Sequence, residues 1–74
     1  MNYGIAKNSV CHVNVGSLPI NAEFLHKDKA YKKVDDEHAV DMNGEKWVME
    51  PHYGALITKI QFDNYNLTND AIYD

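Results

Sequence analysis

Seventy-four residues allow one domain, in which seven lysines stand against eleven aspartates and glutamates for a formal charge of −4. There is no arginine, so the bidentate fork that reads phosphate and guanine is missing, and the negative balance repels a polyanion; nucleic acid is disfavoured as a partner. So short a chain has no core to give up for a deep substrate cleft, which favours binding over catalysis.

Period-2 alternation dominates. Residues 10–15 predict a first strand with Cys11, Val13 and Val15 on one side and Val10, His12 and Asn14 on the other, stopped by Gly16, Ser17 and Pro19. Residues 22–26 predict a second strand with Phe24 as its largest apolar group. Lys27, Asp28 and Lys29 form a polar turn, and residues 30–34 follow as a third strand with Tyr31 inward. Asp35, Asp36 and Glu37 break the pattern again. Residues 38–42 and 45–50 flank Asn43 and Gly44, the signature of a hairpin whose two loop residues both take positive φ. That loop length pairs Met42 with Glu45, Asp41 with Lys46, Val40 with Trp47 and His38 with Met49. Val40, Met42, Trp47 and Met49 are then expected inward, and the Asp41–Lys46 pair near solvent.

Pro51 ends this strand because it cannot donate to a ladder, and His52, Tyr53 and Gly54 turn the chain. Residues 55–65 read as the last and longest strand, with Leu56, Ile60 and Phe62 on one face and Ile57, Lys59, Gln61 and Asp63 on the other. Residues 66–74 are short and polar. Thr68 is placed to cap one helical turn through Ala71, Ile72 and Tyr73, and the segment suits a flexible or partner-docking tail.

These elements predict a single mainly β domain over 1–74, with five to six short antiparallel strands in a small barrel or meander and a short C-terminal helical turn. Phe24, then Tyr31, Lys32, Lys33 and Val34, then the run from Ala39 to Gly44, then Glu50 and Pro51, resemble small SH3-like β-barrel proteins encoded by bacteriophages. The resemblance covers about half of the chain, roughly residues 18–56 by strand and turn spacing. It implies an SH3-like fold and a viral setting, and brings no catalytic residues with it.

The residues offer little chemistry. The only cysteine is Cys11, so no internal disulfide forms, as suits a reducing compartment. Residues 1–7 lack a leader pattern and no apolar run is long enough to span a membrane, so the expected location is the cytoplasm, the host's if the protein is phage-encoded. His12, His26, His38 and His52 are scattered without the close ligand pairs of a zinc site, so neither metal nor cofactor is expected. Cys11 alternates with Val13 and Val15 as a core thiol does, and neither serine has a nucleophile-elbow context, so no enzyme activity is expected.

Two candidate sites remain. Asp35, Asp36 and Glu37 form one acidic cluster, and Asp63, Asp70 and Asp74, interleaved with Tyr65 and Tyr73, form another; carboxylates with tyrosines suit a basic protein surface. Tyr31, Lys32 and Lys33 form an alternative ligand-binding set for an anionic nucleotide. The leading expectation is a non-enzymatic protein-binding module, a phage accessory protein that inhibits or redirects a host factor in takeover or anti-defence. It would bind through an exposed strand edge and the acidic C-terminal segment. The alternatives are a homo-oligomer that sequesters a small molecule or nucleotide, and a minor structural component of the virion.

Overall fold

The computed structural model describes residues 9–73; Asp74 and the leader reading over 1–7 lie outside them. Six strands form one antiparallel sheet: β1 (Val10–Asn14), β2 (Glu23–His26), β3 (Lys29–Asp35), β4 (His38–Asp41), β5 (Lys46–Val48) and β6 (Gly54–Thr58). One short helix, α1 (Lys59–Asn64), follows, and single 3-10 turns lie at Val15–Ser17 and Asn69–Ala71. The spatial order is β1-β6-β2-β3-β4-β5, so β6 returns from the far end of the chain to separate β1 from β2. The mainly β class holds, but the sheet is open: β1 and β5 are its edges, and among the described residues no ladder joins them into a barrel.

One face of the sheet is covered. Val13, Phe24, Ala39, Ala55 and Ile57 project from the strands into a core completed by Val15, Leu18, Met49, Phe62 and Ala71. Val13 and Val15, together with Phe24, are in that core as expected, Cys11 packs half-buried against it, and Tyr31 stacks on Phe24 with centroids 5.8 Å apart.

The β2–β3 hairpin closes on Lys27 and Asp28, whose φ values of 53° and 66° put both in the left-handed region. This is the mirror-image two-residue turn that matches strand twist, formed here without glycine or asparagine. The β4–β5 hairpin departs from expectation. Its register pairs His38 with Val48, Ala39 with Trp47 and Val40 with Lys46, one residue away from the predicted one. The Asp41 amide meets the Glu45 carbonyl, so the loop holds three residues, and only Gly44 takes positive φ (82°). The cause is Asp41, whose carboxylate accepts from the amides of Asn43 and Glu45 and from the Trp47 indole N–H. A one-residue slip exchanges the faces of one strand relative to the other. Ala39 therefore takes the buried position and Met42 is left 84% exposed, while Trp47 stays on the side of Ala39 and Met49 and is 43% exposed at the sheet edge. Lys46 lies 4.0 Å from Asp35 instead of pairing with Asp41.

The predicted long last strand also ends early. β6 stops at Thr58, whose hydroxyl accepts from the Gln61 amide while the Gln61 side chain accepts from the Thr58 amide, a reciprocal cap that starts α1. Ile57 before the cap and Phe62 in the second turn are both in the core. The helix ends at Asn66 (φ 59°), with the amides of Asn66 and Leu67 bonded to the Asp63 and Phe62 carbonyls. Residues 55–65 thus switch period at Thr58. Ile57 turns inward, while Leu56 is half-buried and Ile60 exposed, reversing the expected faces. After Leu67, the 3-10 turn buries Ala71, Ile72 bridges Val13, and the Tyr73 amide donates to the His12 carbonyl.

Candidate functional site

The groups able to do chemistry are dispersed. His26 bonds the Gly54 carbonyl through Nδ1 at 2.7 Å and stacks on Tyr53, with centroids 5.3 Å apart and planes 4° from parallel. His12 lies over Gly54 from the other side, against Tyr73 at 4.5 Å. His38 contacts Asp35 at 2.9 Å, and His52 stands 3.7 Å from Glu50. Among the described residues no three histidine, cysteine or acidic groups converge as a metal site would require. Cys11 is a free, half-buried thiol on the covered side of β1.

The C-terminal candidates are mostly engaged within the fold. Asp63 pairs with Lys59 at 2.8 Å, and that contact raises the lysine pKa. The Tyr65 hydroxyl accepts from the Glu23 amide at 3.3 Å, and Gln61 Nε2 donates to the Glu23 carbonyl. Tyr73 lies against His12, while Asp70 is exposed on the last 3-10 turn. Asp63 thus lies on α1, Tyr65 at its C-terminal cap against Glu23, Asp70 on the last 3-10 turn and Tyr73 beside His12, and Asp74 lies outside the described residues.

The lysine set also separates. Adjacent strand residues point to opposite faces. Lys32 is exposed on the uncovered face, whereas Lys33 is 3% exposed and donates from Nζ to the Val15 and Leu18 carbonyls at 3.0 and 2.7 Å. Burial pushes the Lys33 pKa down against the opposing pull of Asp36 and Asp35. Lys33 is thus a tie between β3 and the first 3-10 turn and has no amine to offer a ligand. The sequence signal available for this was its alternation with Tyr31.

The acidic turn is exposed. Asp35 accepts from the Glu37 amide and from His38, which hold its carboxyl below the usual range, and Asp36 and Glu37 are open to solvent. Beside it runs the free side of β5. The Asp41–Glu45 and Glu37–Met49 backbone bonds bracket the β4–β5 ladder. By antiparallel alternation the N–H and C=O groups of Lys46 and Val48 then face away from β4. Val48 is 58% exposed and Trp47 stands next to it, fixed by its bond to Asp41. Asp35, Asp36, Glu37, Glu45 and Glu50 surround this edge, with Lys46 the one lysine on the strand.

The second open surface is the sheet face that no described residues cover. Leu25 and Leu56 meet there as the single registered pair of β2 and β6, with Ala30 beside Leu25. Beyond that pair the two strands leave a hollow of about 260 Å³ between Val10, Thr58 and Glu23. A second, of about 330 Å³, lies between Ala30, Val40 and Met42. Comparison with protein-family models, with curated proteins and with solved structures finds no match for the chain.

Proposed function

We propose that this protein is a non-enzymatic protein-binding module that takes an extended, basic segment of a partner onto the open side of β5. The observation that carries the reading is an edge strand unpaired on its outer side among the described residues and bearing a half-exposed, hydrogen-bonded tryptophan. An added strand gains main-chain bonds from Lys46 and Val48. Trp47 supplies a rigid anchor, and the surrounding carboxylates favour lysines and arginines on the incoming chain. The phage resemblance of residues 18–56 supports a host protein as the partner, with inhibition or redirection of that factor in the host cytoplasm as the outcome.

Val48→Pro tests this reading. It removes an outward N–H while leaving the β4 ladder its donors. Wild-type, Val48→Pro and Trp47→Ala proteins serve as matched baits in the native host extract, with circular dichroism confirming the fold of each. A partner held by the wild type and lost by both variants is expected. A captured set that neither variant changes overturns the proposal.

A further inference from the structure

We infer that the uncovered sheet face is a self-association surface, on which a second copy packs about a two-fold axis running along the strands between β2 and β3. This goes beyond the β5 reading and uses none of its residues as anchors. Burial alternation fixes the outward set: Glu23 and Leu25 lie on β2, Ala30 and Lys32 on β3, Leu56 and Thr58 on β6, and Val40 on β4, with Met42 just beyond. The register places these groups in rows. Glu23 is level with Lys32, and Lys32 with Val40; Leu25 is level with Ala30 and with Leu56. Because Tyr31 pairs with Asp41, Ala30 is level with Met42.

A two-fold along the strand direction keeps each row at its height and exchanges left with right. It sets β2 against β3 of the second copy, and β6 against β4. Glu23 then meets Lys32 of the second copy, Leu25 meets Ala30, Leu56 meets Met42, and Thr58 meets Val40, each contact made twice. Opposite charges face one another and the larger leucine faces the smaller alanine. The hollow on the β6 side lies against the hollow on the β4 side. Face-to-face sheets cross at about 30°, which displaces the outer strands most and the pairs beside the axis least. Glu23–Lys32 and Leu25–Ala30 are those central pairs.

The face spans about 24 Å across the strands and about 17 Å along them. That is a footprint of about 400 Å² on each copy and about 800 Å² in total, below the usual range of stable interfaces, so the dimer is weak. Leu25, 43% exposed at the centre, and Met42 at the rim are the apolar groups that a second copy would remove from water.

Charge exchange provides the test. Sedimentation equilibrium from about 10 µM to about 1 mM is run on the wild type, Glu23→Lys, Lys32→Glu, an equimolar mixture of the two variants, and Val48→Pro. The wild type and Val48→Pro are expected to dimerise. Each reversal alone sets like charges against one another twice and weakens the dimer at least about tenfold. In the mixture every opposed pair has opposite sign again, and the heterodimer recovers to within a few-fold of the wild type. The Glu23 backbone keeps its bonds to Gln61 and Tyr65 in every variant, and circular dichroism checks the fold. A wild type that stays monomeric, a dimer indifferent to the reversals, or a mixture no tighter than its components each overturns the inference. Loss of the dimer in Val48→Pro alone assigns association to the β5 edge and also overturns it.

Discussion

The two edges of the sheet are finished differently. At β1 the chain returns from α1, buries Ala71, bridges Val13 with Ile72 and bonds the His12 carbonyl with the Tyr73 amide. At β5, among the described residues, no strand lies beyond; three exposed residues, Trp47 among them, end the sheet. An unpaired edge is a template for another chain, and proteins ordinarily mask it. Among the described residues the masking is applied at one end only. The acidic tyrosine segment that reads from the sequence as a partner-docking tail lies along the protein's own β1, and the edge left unpaired among the described residues is the opposite one.

Removing residues 67–74 tests the masked edge most severely. The loss of Leu67 and Ala71 from the core gives up about 3 kcal/mol, comparable to the roughly 3–5 kcal/mol a core of this size supplies. The truncated chain is expected to show no cooperative thermal transition; a melting temperature within a few degrees of the full chain, about 4–8 °C per kcal/mol at this size, would make the segment a dispensable tail. Lys33→Met keeps most of the buried stem but leaves the Val15 and Leu18 carbonyls without their amine. A loss of about 1–3 kcal/mol in urea unfolding is expected. Gly54→Ala probes β1 against β6, because its methyl group would enter the space of the His12 ring. The ring must move off Tyr73, at a cost of about 1–2 kcal/mol, and chemical-shift changes should concentrate at His12 and Tyr73.

The smallest effect belongs to the β5 end. The Trp47 bond and the amides of Glu45 and Asn43 hold Asp41 below the usual carboxyl range, as the Glu37 amide and His38 do Asp35. A group whose pKa is lower in the folded state stabilises fully above its unfolded value, near 3.9, and loses that contribution as pH falls through the folded value. Urea midpoints should therefore fall as pH drops below about 4. Asp41→Asn should flatten part of that fall; an unchanged profile would mean the carboxylate does not organise the loop.

Much of the fold is legible in local pattern. Alternation identifies the buried side of β1 through Val13 and Val15, Phe24 as a core ring, and the polar turn at Lys27 and Asp28. Two errors have physical causes that a closer reading reaches. Thr58 and Gln61 have the spacing of a capping box, and Asn66 with Leu67 that of a helix stop, yet the apolar alternation from Ala55 to Phe62 overrides both when period alone is weighed. Asn43 and Gly44 correctly predict a reversal, but Asp41 lengthens the loop by one residue and turns Val40 and Met42 to the opposite face. Of the candidate residues, Asp36 and Glu37 are exposed, Tyr31 and Tyr73 pack against Phe24 and His12, and Lys33 is withdrawn into packing.

The sequence by itself determined the mainly β class, most turn positions, the inward side of β1 and the acidic character of the exposed turn, because these follow from alternation and short-range backbone preference. Only the tertiary structure decided that β6 inserts between β1 and β2, that Lys33 closes the first turn from inside, and which face and which edge remain open. Those outcomes depend on pairings between residues far apart in the chain, and local period carries no information about which distant strand supplies the partner.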